Sequence, residues 1–196
     1  MTFTTGYTVS TILSIVAEII ILLVVCLSEV LRSGPPTSEG PAAFSFSRFQ
    51  LFLWTFVIAP LFTLHWGWNC IYGCPKPDGM INETALVLLG IASGTAVTAE
   101  IVQSAQKSSG VAVQLKMDRK SVNFWVDILT DDNGQFSIAR LQHLVFTIIY
   151  IGIYITIFFN GIAPGAKFML PVFDATAYVL MGISGGSFVF GKALHK

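Results

Sequence analysis

Charge is what this sequence has least of. Of its 196 residues only 11% are Asp, Glu, Lys or Arg, against about 25% in a soluble domain. So few charges cannot cover a water-exposed globule of this size, which excludes an ordinary soluble enzyme and a disordered chain. A basic excess is missing as well. Eleven Lys and Arg are matched by 11 Asp and Glu, so nothing is left over to neutralise phosphates and nucleic acid is excluded as a partner. Cysteine is scarce at 3 residues, and no Cys/His set has zinc spacing. A phosphate-binding glycine loop, a nucleophile elbow and an HExxH motif are also lacking. The sequence therefore predicts no catalytic residue, no metal, no cofactor and no enzyme.

Apolar residues make up 54% of the chain, and the mean hydropathy is +0.71. Roughly 20 apolar residues are needed to cross roughly 30 Å of hydrocarbon. Five segments qualify: about Val9 to Leu31, Phe49 to Tyr72, Thr84 to Val102, Leu141 to Ile162 and Ala175 to Leu194. Their apolar runs are continuous, as helices in lipid require, and lack the alternation of β-barrel strands. The leader Met1 to Ser10 holds no Lys or Arg, so the first segment reads as a true span rather than a signal peptide. The expected class is an all-α integral membrane protein with five transmembrane helices.

Basic residues gather in cytoplasmic loops. With the N-terminus outside, the inner segments hold Arg32, Arg48, Lys107, Lys116, Arg119, Lys120, Arg140, Lys192 and Lys196, and the outer ones only Lys76 and Lys167. The predicted location is the cell (inner) membrane, multi-pass, with the C-terminus cytoplasmic. Cys70 and Cys74 then fall in an oxidising outer loop, either as a small disulfide or as two thiols.

Phe44-Ser45-Phe46-Ser47-Arg48-Phe49-Gln50 reappears 92 residues later as Phe136-Ser137-Ile138-Ala139-Arg140-Leu141-Gln142. The same offset carries the Thr84 to Val97 stretch onto Thr176 to Val189 with eight of fourteen positions identical. The reading is a tandem duplication of a helical hairpin. Two spans return the chain to its starting side, so both copies have the same orientation. Residues 1–43 carry the first span and a Pro/Gly linker, 44–106 the first hairpin, 107–135 a cytoplasmic loop and 136–196 the second hairpin. The first span stands outside the duplication. Within the loop, Ser121 to Leu129 is short and amphipathic and reads as an interfacial helix on the anionic inner leaflet. Asp131 to Gly134 reads as a turn.

The repeats make Ser45 and Ser137 candidate N-caps, and likewise Asn82 and Asp174. Asn82-Glu83-Thr84 is also a glycosylation sequon, for which the cap is a sufficient explanation. Arg48, Gln50, Arg140 and Gln142 are expected at headgroup level, in contact with lipid phosphates or a partner. Gly90, Ser93, Gly94 and Thr95, with Gly182, Ser184, Gly186 and Ser187, form GxxxG-bearing small-residue faces. These either pack helices closely or line a narrow polar path.

This pattern resembles a functionally uncharacterised group of bacterial multi-span membrane proteins. They share an Arg-x-Gln helix start and a Gly-Ile-Ser-x-Gly-Thr-like helix. The matching stretches are Arg48 to Thr55 with Leu89 to Thr95, and Arg140 to Thr147 with Met181 to Ser187. Some of that group are labelled ion transporter-like, and the resemblance implies no catalytic residues.

Intramembrane ionisable residues are costly and so are candidates for function. Glu18 and His65 are predicted at similar depths, as a titratable pair, or as a protonated Glu bonding a neighbouring helix and a His in the interfacial aromatic belt. Glu100 and Lys192 are duplicates of opposite charge, either paired with each other, partnered by Arg48 and Arg140, or snorkelling to the interface. Pro60 is expected to kink the second span, with Gly152 as its counterpart. The expected partners are the lipid bilayer, further copies of the chain and a protein on the cytoplasmic loop. Two functions head the reading: an oligomeric ion-conducting protein, or an accessory subunit that anchors a partner complex. A membrane enzyme ranks last.

Overall fold

The computed structural model describes residues 3–34, 40–71, 82–108, 120–131, 134–162 and 169–183. Among them the chain is all-helical. The helices are α1 (Phe3–Leu27), α2 (Phe46–Ile71), α3 (Glu83–Ser108), α4 (Phe124–Leu129), α5 (Ile138–Gly161) and α6, helical over 175–183. Three of these are long and apolar enough to cross a membrane: Thr8–Leu27, Phe46–Cys70 and Ile138–Gly161. In α3 the apolar stretch among the described residues is Glu83–Thr98. The predicted fifth span is helical as far as residue 183, and its remainder lies outside the described residues. The first span ends earlier than expected. After Leu27 the chain turns, and Arg32 pairs antiparallel with Phe44.

α2 lies at the centre, with α1, α3, α4 and α5 packed on it. Its inward stripe supplies Trp54, Ile58, Leu61 and Trp68 to the main core. α3 adds Ala85, Leu88 and Ala92, α5 adds Tyr154 and Phe158, and α6 adds Ala177 and Met181. The i, i+3, i+4 spacing of these residues is that of helices with one buried face. The outward faces are apolar as well. On α1, Ile12, Ile19, Leu23 and Val24 are exposed, and on α5 Ile148, Ile149 and Ile153. A belt of this extent is unlike the surface of a soluble monomer and fits a membrane location.

Directions follow from the contacts. The Ser14 hydroxyl of α1 donates to the Pro60 carbonyl of α2 at 3.2 Å, and Ser10 sits against Gly67, so these helices are antiparallel. The Phe46 ring lies 5.7 Å from that of His143, and Gln50 bonds Thr147. Numbers rise together along both helices, so α2 and α5 run parallel. At the other end, Asn82 at the start of α3 donates to the carbonyls of Leu170 (3.0 Å) and Pro171 (2.7 Å), just before α6. The Thr84 hydroxyl bonds Tyr178 and accepts from the Phe173 amide at 3.0 Å. α3 and α6 therefore begin on the same side.

The approaches to α2 and α5 are built alike. The Ser45 amide donates to the Leu31 carbonyl at 2.7 Å, and the Ser137 amide to the Leu129 carbonyl at 2.8 Å. Antiparallel bridges join Arg32 to Phe44 and Thr130 to Phe136. Arg48 Nη1 then donates to the Arg32 carbonyl at 2.8 Å, and Arg140 Nη1 to the Thr130 carbonyl. Each helix thus begins with a short bridged turn clasped by its own arginine. The helix preceding the clasp is the 25-residue α1 in one case and the 6-residue α4 in the other.

A cap joins the two approaches. The Asp127 carboxylate, buried in α4, accepts from the Ser121 hydroxyl (2.6 Å) and from the amides of Val122 (3.3 Å) and Phe44 (3.2 Å). Ala42 pairs with Lys120 across the same junction. As expected α4 is amphipathic. Ile128 packs inward with Phe46 and Leu144, while Trp125 and Val122 are exposed. Its Asn123 accepts from the Val126 amide as N-cap. The segment after α4 is a turn, closed by Gln135 donating to Asp131 Oδ1 at 2.8 Å, with Gly134 at φ 80°.

A candidate site: the buried polar cluster between α2 and α5

The inward stripes of α2 and α5 turn polar toward their N-terminal ends. Ser47 and Gln50 from α2, with Arg140, His143 and Thr147 from α5, are all buried. Gln50 Nε2 donates to Thr147 Oγ1 at 3.0 Å. Gln50 Oε1 has no hydrogen-bond partner among the described residues. Residues 140, 143 and 147 fall on one face by helical spacing. That face brings a guanidinium, an imidazole and a hydroxyl together behind the Phe46 ring. Above this layer Trp54 and Tyr154 fill the gap, at 2% and 0% exposure. Tyr154, directly above, has a buried hydroxyl without a hydrogen-bond partner among the described residues.

The duplicated pairs diverge here. Gln50 is buried and bonded, whereas Gln142 is exposed. Arg140 is 4% exposed beside the end of α4, whereas Arg48 is only partly buried. Arg48 also reaches the Val30 carbonyl at 3.4 Å. Both arginines were expected at headgroup level. Arg140 is instead consumed inside the fold, because the short α4 returns the chain over it. His143, whose counterpart is Leu51, was not anticipated. Its place on the 140–144–147 stripe was the available signal.

Other expected residues are placed as follows. His65 is buried and bonds Asn69 at 2.7 Å. Glu18 is half-buried in α1. The Ser10–Gly67 and Ser14–Pro60 contacts set His65 level with about residue 11 of α1. Glu18 then lies about seven residues, or ~10 Å, farther along α1 at ~1.5 Å per residue. The structure does not bring that pair together, because the antiparallel crossing has a different register from the one assumed. Asn82 and Asp174 are N-caps as expected, accepting from the amides of Ala85 and Ala177 at 3.0 Å. Ser137 caps α5 by accepting from the Arg140 amide. Ser45 does not cap α2 in that way, since its hydroxyl meets that of Ser47 at 3.2 Å.

Among the described residues nothing packs against the glycines of these faces. A Cβ built on Gly90, Gly94 or Gly182 would meet nothing within 4 Å. Close packing occurs elsewhere, at Gly67, where a Cβ would fall 1.8 Å from Ser10 Cβ. The Ser10-x-x-x-Ser14 spacing was the sign of that contact. The hydroxyls of Ser93 and Thr95 donate to Gly90 and Ile91 of their own helix, at 3.2 and 2.8 Å. Ser184, Gly186, Ser187 and Lys192 lie outside the described residues, as do Cys74 and thus the candidate disulfide with the half-buried Cys70. Of Glu100 only the backbone, in α3, is described. Among the described residues no three His, Cys, Asp or Glu side chains converge as metal ligands.

Among the described residues, fold and site together define an all-helical arrangement with three helices long and apolar enough to span a bilayer. No family model, curated protein or solved structure matches the chain.

Proposed function

We propose that the chain is an integral membrane protein of five spans, N-terminus outside, made of one leading span and two tandem hairpins of the same orientation. The parallel course of α2 and α5, the shared starting side of α3 and α6 and the matching arginine clasps support the duplication. We further propose that copies assemble in the membrane through the outward faces of α3 and α6, and that any ion path runs between copies. One observation carries this reading: Trp54, Leu88, Tyr154 and Phe158 are buried inside a single copy, while a Cβ on Gly90, Gly94 or Gly182 would meet nothing within 4 Å among the described residues. Small residues so placed let a second backbone approach closely.

A second reading, an accessory subunit anchoring a partner complex, is favoured by the cap, whose exposed Val122, Trp125 and Phe136 form an apolar edge beside the bilayer. Mass measurement in lipid nanodiscs, with ion flux from liposomes, separates the two. A ring of copies with flux that falls in Gly94→Leu supports conduction between copies. A monomer without flux that captures a fixed partner through the cap supports the anchor. A water-soluble monomer overturns both.

A further inference from the structure

The cap carries an apolar edge of its own. Val122, Trp125 and Phe136 are 65%, 60% and 59% exposed, and they come from both sides of the turn at Asp131. The one charge of α4, Asp127, is turned inward and accepts from Ser121 and from the amides of Val122 and Phe44. The Asn123 side chain is spent on the Val126 amide, and the Ser137 hydroxyl on the Arg140 amide. The polar side chains of this segment thus serve its own backbone, and large apolar ones are left on the outside. Such side chains gathered in one place mark a contact surface.

Two observations name what covers it. First, aromatic rings run without a gap from the edge onto the flank of α2. Trp125 meets Phe124 edge to face at 5.2 Å, and Phe124 meets Phe49 in the same way at 5.0 Å. Phe52 and Phe56 follow at 6.4 and 5.5 Å. Positions 49, 52 and 56 share one face by helical spacing, and all three are half-buried. Second, the exposed stripe of α5 starts where the edge ends. It is made by Ile138, Leu141, Val145, Ile149, Ile153 and Ile157. From Ile138 to Ile157 the stripe rises about 28 Å at ~1.5 Å per residue, against ~30 Å of hydrocarbon in a bilayer. A bilayer that covers this stripe has its boundary within a turn of Ile138, and Phe136 stands two residues outside it. That boundary is where tryptophan is enriched, and where an amphipathic segment lies in the membrane plane with its apolar side immersed.

We propose that the partner of this edge is the lipid surface itself: Val122, Trp125 and Phe136 are immersed at the headgroup–acyl boundary of the leaflet on which α2 and α5 begin. This rests on the membrane reading above. None of the three side chains is charged, so neutral phosphatidylcholine serves as the probe. The full chain is labelled with fluorotryptophan and placed in phosphatidylcholine nanodiscs. Fluorine NMR gives a line for each of the 4 tryptophans, and Trp125→Phe identifies the line of Trp125. The three remaining lines, unmoved, show that this variant folds as the parent does. The Trp125 line is expected to vanish when phosphatidylcholine spin-labelled near the top of its acyl chain is included. It is expected to survive a water-soluble gadolinium chelate. Loss of the line to the chelate overturns the proposal. A line that neither reagent reaches overturns it as well, in favour of a protein cover over the edge. Both results leave the membrane reading standing, whereas failure of the chain to enter nanodiscs overturns that reading.

Discussion

Gly67→Ala tests the tightest contact in the fold. A Cβ at position 67 would lie 1.8 Å from Ser10 Cβ, 2.6 Å from its Oγ and 3.1 Å from its Cα. Carbon atoms in comfortable contact are ~3.5–4.0 Å apart. Rotation about χ1 moves the Ser10 hydroxyl but not its Cβ, so the helices themselves must separate by something near the ~2 Å shortfall. Overpacking of this kind costs ~1–3 kcal/mol. Separation also strains the Ser14 bond to the Pro60 carbonyl, and such bonds in membrane proteins are worth ~0.6 kcal/mol. A total near 2–3 kcal/mol is expected. Ser10→Gly removes the two closest obstacles and leaves the Cα at 3.1 Å. In a double-mutant cycle it should restore most of the loss, beyond the ~1 kcal/mol that glycine itself costs a helix. Gly94→Ala is the control, since nothing lies within 4 Å of its Cβ, and should stay within ~0.5 kcal/mol of the parent. Equilibrium unfolding of detergent-solubilised protein by dodecyl sulfate, followed by circular dichroism, reads all five proteins: the four of the cycle and the control. Parent-like stability of Gly67→Ala, or no rescue by Ser10→Gly, refutes the register of α1 on α2.

Three further outcomes follow from named contacts. Asp127→Ala strips the acceptor from two amides and a hydroxyl, so hydrogen exchange at Phe44 and Val122 should quicken by at least ~10-fold; unchanged protection at both would show that the carboxylate does not pin the cap. A cycle of Gln50→Ala and Thr147→Val should give a coupling of ~0.6 kcal/mol, as for other interhelical bonds in membranes, and a coupling of zero would mean the bond is not made. Asn82 should stay unglycosylated when the chain is produced in a glycosylating secretory membrane, because its Nδ2 donates to two carbonyls and Thr84 is buried. A mass shift removed by endoglycosidase would contradict that placement.

The helices were legible because each announces itself locally. Apolar runs gave α1, α2 and α5 to within a few residues at most ends, and Asn82 and Asp174 marked the starts of α3 and α6 by cap chemistry. What the sequence could not fix was register between helices. GxxxG at Gly90 and Gly94 is a stronger printed motif than Ser10 and Ser14 opposite Gly67, yet the close crossing is at the latter. A motif states how near two backbones can come, not which second helix is there. Glu18 and His65 failed to meet for the same reason. Equal distance from the membrane edge was assumed, whereas Ser14 on Pro60 sets the offset. The cap was unreadable because Asp127 is in α4 and Phe44 in the approach to α2, 83 residues apart.

The divergence between the two arginine clasps has a structural cause. Both arginines use Nη1 to hold the carbonyl of a bridged residue, a task met by backbone geometry alone and so preserved when flanking side chains change. What differs is the element before the clasp. α4 is a single short turn whose Ile128 packs with Phe46 and Leu144, and it closes the chain over Arg140. α1 is a full-length helix that leaves the clasp along α2, so its last turns form one wall of a groove beside Arg48. The asymmetry therefore lies in the packing around the clasps rather than in the arginines, which explains why the repeated sequence alone gives both the same expected role.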